Sequence, residues 1–214
     1  MISDVLRGCV LQDEHRKDDM MKEMTVKLTF TDELLGTLPG NRDLFRDYVA
    51  GKAETVDEEA EAIPVDEQIE KGTTVFPRTK DGQPFLYDYQ IRGFFKEACK
   101  FLKEVEGTKS SKVKAYKKKI DGLIFVRDRE NVIELNGDMG ICERPLRAST
   151  PQGDRVALSR SESVPEGSKV TFTAQCLIDS DMELVREWLD YGKFHGTGQW
   201  RSAGKGRYTW EEIA

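Results

Sequence analysis

The chain has 214 residues, of which 38% are hydrophobic and 34% charged, and its formal net charge is -6. A chain of this length is expected to form one domain, with or without an insertion, and to bury roughly 70% of its unfolded surface without a disulfide or metal. No run approaches the roughly 18 apolar residues of a membrane-spanning helix, which predicts no membrane partner.

The chain opens with a polar leader, residues 1–22, which we expect to be flexible and which lacks the apolar stretch of a secretion signal. Translation could begin at any of four methionines in this region: Met1, Met20, Met21 or Met24. A strand is predicted over residues 24–31, because apolar and polar residues alternate there with a period of two.

Residues 37–87 are predicted to be an insertion, since Gly36, Pro39 and Gly40 break the strand pattern at its start. Its window 43–70 holds ten acidic residues against two basic ones, a charge of -8, so the rest of the chain carries +2. Three interpretations stay open: a solvated surface, a partner-binding lobe, or an electrostatic mimic of nucleic acid.

The clearest predicted helix covers residues 87–106, because apolar residues recur every three or four positions. Asp88 is the expected N-cap, and Gly107 marks the expected end. Gly93 lies inside this helix, where glycine costs about 1 kcal/mol relative to alanine unless something needs close approach. Residues 107–119 follow with six lysines and no acid, a pattern typical of a solvated face or of contacts with a phosphate backbone.

The second half of the chain predicts several short elements. They are strands over 122–126 and 132–135, a polar loop over 144–153, a hairpin of strands 156–161 and 169–177, a helix over 179–190 and a strand over 207–210. The order strand, helix, strand, strand, helix, strand is that of a ferredoxin-like (RRM-like) α+β fold, an antiparallel sheet with two helices on one face. We therefore predict a single domain over 23–214, with the acidic insertion and an extra β-hairpin.

Cysteine and histidine offer no recognisable chemistry. The cysteines are Cys9, Cys99, Cys142 and Cys176, widely spaced and without a C-x-x-C pair. With only His15 and His195 beside them, no zinc-ligand spacing and no local catalytic motif is present. We expect reduced thiols, no metal and no cofactor.

The most informative feature is the glycine-rich loop over residues 196–206. Its glycines would let backbone N–H groups approach a phosphate, and its basic residues would neutralise that phosphate. The loop is not a Walker A motif, because Lys205 is followed by glycine, and it is not a dinucleotide-binding fingerprint, because it follows a helix and precedes a strand. A structural turn that returns the chain to the sheet is the other interpretation.

The segment from Gly196 to Arg207 resembles the C-terminal glycine-rich loop of the RAMP superfamily, the RRM-like RNA-binding proteins of CRISPR effector complexes. Ile91-Arg92-Gly93, at the start of the predicted helix, resembles the corresponding segment of backbone subunits in that superfamily. The resemblance implies an RRM-like fold and an RNA partner, and the acidic window 43–70 departs from it. The whole sequence also resembles proteins of phages and prophages of gut Firmicutes, which implies the cytoplasm of a host cell.

We predict a non-catalytic protein that binds RNA, another single-stranded nucleic acid or a phosphate-rich ligand. The alternatives are a phage counter-defence protein, which would bind a host defence complex by shape or charge mimicry, and a ribonuclease that uses His195. A homo-oligomer is left open. Basic residues would contact phosphate and Trp200 or Tyr208 would stack on bases. The predicted ligand contacts are Arg92, Lys109, Lys112, Lys117, Arg144, Arg147, Gly196, Gly198, Trp200, Arg201, Gly204, Lys205, Gly206, Arg207 and Tyr208.

Overall fold

The computed structural model describes residues 21–40, 73–150 and 153–213. The acidic window 43–70 and all of the predicted leader except its last two residues lie outside these residues. The strands are β1 (Lys22–Phe30), β2 (Leu34–Leu35), β3 (Leu38–Pro39), β4 (Thr74–Val75), β5 (Phe85–Tyr87), β6 (Ile124–Val126), β7 (Glu130–Glu134), β8 (Gly140–Thr150), β9 (Gly153–Val164), β10 (Lys169–Cys176) and β11 (Tyr208–Ile213). The α-helices are α1 (Asp88–Leu102), α2 (Tyr116–Leu123) and α3 (Met182–His195). The prediction of an α+β fold is confirmed.

The main sheet has the order β11-β1-β10-β7-β5, and β6 pairs with β10 beside β7. All of these pairings are antiparallel. Met24, Val26, Leu28 and Phe30 of β1 are all buried, as their period-two pattern requires. This strand order is compatible with the predicted ferredoxin-like sheet.

A second sheet contains the long β8–β9 hairpin, with β2 and β4 beside β9. It corrects two predictions: residues 144–150 are strand rather than polar loop, and β9 pairs with β8 rather than with β10. The turn predicted between β9 and β10 does exist, with Gly167 at φ 78°, but it leads from one sheet into the other. Sequence could not reveal this, because β8 mixes charged residues with a proline and shows no apolar alternation.

Helix α1 begins one residue later than predicted and ends at Leu102. The N-cap is Tyr87, whose backbone N–H donates to the Gln90 side chain at 2.7 Å, so Asp88 is the first helical residue. The end is fixed by Thr108, whose hydroxyl donates to the carbonyl of Leu102 at 2.8 Å.

The core lies between the main sheet and helices α1 and α3. Phe95 of α1 contacts Trp188 of α3 and Phe172 of β10, with ring centroids 5.6 and 6.3 Å apart. Described residues at the end of the predicted insertion, among them Phe76 and Phe85, are also buried. Among the described residues, no helix is long and apolar enough to cross a membrane.

The packing of α3 on β11 leads to a first prediction. A Cβ atom on Gly192 would lie 1.9 Å from the Tyr208 hydroxyl and 2.7 Å from the Phe94 ring. Gly192→Ala should therefore lower the free energy of unfolding by about 1–3 kcal/mol, although alanine is the better helix former. Urea unfolding at equilibrium would measure it.

Gly122 of α2 is the matched control, since its added Cβ would meet nothing within 4 Å. Gly122→Ala should raise stability by up to about 1 kcal/mol. Equal effects of the two substitutions would contradict the close packing at Gly192.

Candidate nucleic-acid interface

The glycine-rich loop connects the end of α3 to β11 and folds back on itself. Gly196 has φ 76° and Gly206 has φ 70°, a region that favours glycine. The N–H of Thr197 donates to the Gly206 carbonyl at 2.9 Å, and the N–H of Gly206 donates to the Glu33 carbonyl at 2.9 Å. A Cβ on Gly198 would lie 2.9 Å from the Leu34 side chain. These glycines are thus required by contacts within the protein itself.

The basic side chains of this loop all have acidic partners. Arg201 pairs with Glu97 of α1 and Lys205 pairs with Glu33. The Arg207 Nε atom donates to Asp32 Oδ2 at 2.9 Å and to the Gly204 carbonyl at 3.1 Å. Since each charge is already compensated, a phosphate at this loop would have to compete with a carboxylate.

The two aromatic residues predicted to stack have different surroundings. Trp200 is 37% exposed, and the Arg144 guanidinium lies 4.8 Å from its ring centroid while donating to the Gln199 side chain at 3.2 Å. Tyr208 is 1% exposed, and burial raises the pKa of its hydroxyl well above the ordinary value. Tyr208 therefore offers no face at the protein surface: its ring packs in the core beside Phe30 and Phe94.

The remaining predicted contacts are dispersed. Arg92 forms an ion pair with Asp88 one turn earlier on α1, at 2.9 Å. Arg147 lies in β8, on the hairpin of the second sheet. Lys109 pairs with Glu183 at 2.5 Å. These three residues thus belong to three different parts of the fold: α1, β8 and the segment between α1 and α2.

A different group of cations has no acidic partner among the described residues. We call it the lysine surface; its members are Lys100, Lys103, Lys112, Lys114, Lys117 and Lys118. All six are exposed, and they lie on α1, on α2 and on the segment between the helices. An ion pair between Lys96 of α1 and Asp121 of α2, at 2.5 Å, joins the two helices.

The segment between α1 and α2 is held on α3 by Glu187. Its carboxylate accepts hydrogen bonds from the N–H of Lys109 at 2.6 Å, from the N–H of Ser110 at 2.9 Å and from the Ser110 hydroxyl at 2.5 Å. The buried Ser110 hydroxyl also accepts from Trp188 Nε1 at 2.9 Å. This network fixes the lysine-bearing segment against the core.

Sequence reasoning named only Lys112 and Lys117 of the lysine surface. The signal for Lys100 and Lys103 was present, because they lie three residues apart on a helix whose opposite side is apolar. The acidic partners of the loop could not be found in this way, because Asp32 and Glu33 are more than 170 residues from their partners.

Other titratable groups gather where α3 meets the loop. His195 Nε2 lies 3.4 Å from Glu97 Oε1, and its ring stacks on Tyr191 with centroids 5.0 Å apart. Burial raises the pKa of Cys176 to about 12 and also raises that of Cys99, so both thiols stay protonated at neutral pH. No group of three metal-ligating side chains occurs in the described part of the chain.

No protein-family model and no curated protein matches the sequence. It is similar to a chain of the Type III-B Cmr-β complex bound to cognate target RNA, with 9% identity and a TM-score of 0.48 over 99% of this chain and 65% of that one. It is also similar to a chain of a Type IV-B CRISPR complex, with 13% identity and a TM-score of 0.45 over 90% of this chain and 91% of that one. The chain thus spans less than two thirds of the Cmr-β chain. With both TM-scores below 0.5, neither likeness decides fold or function.

The anchoring of the lysine-bearing segment can be tested at Glu187. Glu187→Ala removes the acceptor of two backbone N–H groups, which should lower the free energy of unfolding by about 2–4 kcal/mol. Glu183→Ala, one turn earlier on α3, is the control: it removes only exposed ion pairs and should change stability little. Urea unfolding that gives similar losses for both variants would contradict this role of Glu187.

Proposed function

We propose that the chain binds single-stranded RNA through the lysine surface and does not cut it. One observation carries the proposal: six of the nine exposed cations without an acidic partner in the described structure belong to the lysine surface, the others being Lys22, Lys80 and Arg129. The cations of the glycine-rich loop are each paired. A cation that is not already compensated gains more from a phosphate than one that must first give up a carboxylate.

The local charge favours a polyanion although the whole chain is negative. Residues 96–119 contain nine lysines and three acids, a net charge of +6, against -6 for the complete chain. Binding a phosphate backbone releases condensed counterions, and that gain depends on the local cations rather than on the total charge.

The glycine-rich loop has a second role in this proposal. It follows the C-terminus of α3, whereas the lysine-bearing segment contacts Glu183 and Glu187 near the N-terminus. A helix of this length spans about 20 Å, so a short oligonucleotide reaches from one end to the other. The exposed part of Trp200 then offers a stacking contact. The resemblance of this loop and of Ile91-Arg92-Gly93 to the RAMP superfamily agrees with an RNA partner and with an RRM-like arrangement.

Two triple variants with equal charge change test the proposal. Replacing Lys112, Lys114 and Lys117 by glutamine should weaken binding of a short RNA and reduce the slope of log affinity against log salt by about 2, or about 0.7 for each lost phosphate contact. Fluorescence anisotropy over a range of salt concentrations measures both quantities.

The matched variant replaces Arg201, Lys205 and Arg207 by glutamine. Because these side chains pair with acids, it should lower thermal stability while changing the salt slope by less than the lysine variant does. If the loop variant reduced the salt slope more than the lysine variant did, the phosphate contacts would lie at the glycine-rich loop instead. If the wild-type protein binds no RNA at low salt, the proposal fails and counter-defence by mimicry becomes the leading alternative.

One observation favours a ribonuclease as the second candidate. His195, Glu97 and Arg201 lie together, and a histidine beside a carboxylate and a guanidinium can serve as a general base near a stabilising cation. From the main proposal we expect labelled RNA to stay intact during prolonged incubation with excess protein, as resolved on a denaturing gel. Cleavage that disappears in His195→Ala would establish the second candidate instead.

A further inference from the structure

A cavity of about 180 Å³ lies between the start of α1, the end of β1 and the glycine-rich loop. Its floor is apolar and partly aromatic, with Leu34, Phe94, Phe172 and Tyr208 among its lining residues. An apolar cavity of about 150 Å³ holds a benzene molecule, so this one has room for a single planar ring system. Its floor suits the face of such a ring.

The entrance of the cavity is polar. Thr37, Gln90, Glu97 and Arg201 line it. Gln90 Nε2 donates to the Thr37 hydroxyl at 2.6 Å, which leaves the hydroxyl proton of Thr37 free to donate elsewhere. A ring that enters here meets apolar groups on its faces and hydrogen-bonding groups at its edge, which is how proteins recognise unstacked bases.

Gly93 lies at the same entrance and has no structural explanation within the described chain. A Cβ at this position would meet nothing within 4 Å, in contrast to Gly192 and Gly198. A glycine inside a helix lowers stability by about 1 kcal/mol relative to alanine, so leaving this position without a side chain destabilises the helix. Close approach of a ligand to the helix would account for it.

The cavity is also connected to the lysine surface. Lys100 follows Gly93 by seven residues on α1, which places both on one side of the helix about 10 Å apart. A strand whose phosphates contact Lys100 therefore passes close to the entrance.

We propose that this cavity takes up one base of the bound RNA strand, which leaves the stack and inserts beside Gly93. The inference rests on the proposed function, because the base enters as part of a strand held by the lysine surface. It adds a base contact inside the fold to the phosphate contacts of the lysine surface and to the stacking contact of Trp200.

The experiment measures the affinity of two ligands for the wild-type protein and for a variant in which a side chain blocks the entrance of the cavity. The probes are a labelled single-stranded RNA of about twelve nucleotides and a ribose-phosphate strand of equal length without bases. Gly93→Leu places an aliphatic side chain in the entrance. It should weaken the intact RNA about tenfold, the order expected for one lost stacking contact, and the base-free strand less than twofold, with an unchanged salt slope.

Gly122→Leu on α2 is the matched control, because an added Cβ there also meets nothing within 4 Å, while Gly122 does not line the cavity. It should change neither affinity. If Gly93→Leu does not fold, Gly93→Ala replaces it, because its single added methyl group contacts nothing in the protein. It should also weaken the intact RNA more than the base-free strand, but by a smaller factor.

The outcomes separate the two proposals. If wild-type protein binds neither probe, the proposed function is wrong and the base site fails with it. If RNA binds through the lysine surface but Gly93→Leu leaves its affinity unchanged, or weakens both strands equally, the base site alone is overturned.

Discussion

The arrangement of the charged surface depends on one carboxylate. Glu187 accepts two backbone N–H groups and a hydroxyl from Lys109 and Ser110, and so binds a segment rich in lysine to the face of α3. Six lysines within thirteen residues repel one another, and without an anchor such a segment would extend into solvent. Because the hydroxyl of Ser110 also accepts from the buried indole of Trp188, the anchor is continuous with the core. The exposed charge is thereby held in a fixed place on the molecule.

Pairing, rather than the number of basic residues, distinguishes the two cationic regions. Arg201, Lys205 and Arg207 make the glycine-rich loop basic along the sequence, but each forms an ion pair with an acidic residue: Glu97, Glu33 and Asp32. Those ion pairs fasten the loop to the end of β1 and to α1. A loop can therefore resemble a binding motif in sequence while its cations serve mainly to hold the local structure.

The predictable parts of the fold are those whose signal is local. The alternation in β1 and the apolar stripes of α1 and α3 identified these elements, because each buries one face against the same core. The bounds were off by up to five residues, at the end of α3, which was predicted at residue 190 and lies at His195. The β8–β9 hairpin was missed, since Glu143 and Arg160 pair across it and its exposed residues leave no apolar period to detect. The strands β9 and β10 were wrongly predicted to pair with each other for a related reason. The turn at Gly167 can be recognised from the local sequence, but the sheet that each strand joins depends on residues distant in the sequence.

The glycines of the candidate site also fall into two groups, those that the fold itself requires and one that it does not. Gly192, Gly198 and Gly206 each lie against another part of the chain, so the fold itself excludes a side chain at those positions. Gly93 faces open space at the entrance of an apolar cavity, and no described contact requires it. Gly122 of α2 also has open space around it, so the difference between the two helical glycines is that Gly93 lines the apolar cavity. A helical glycine lowers stability, and at Gly93 close approach of a ligand would account for that cost. Of the glycines that the sequence singled out, the one inside α1 thus bears most directly on a ligand, although those of the loop form the more conspicuous motif.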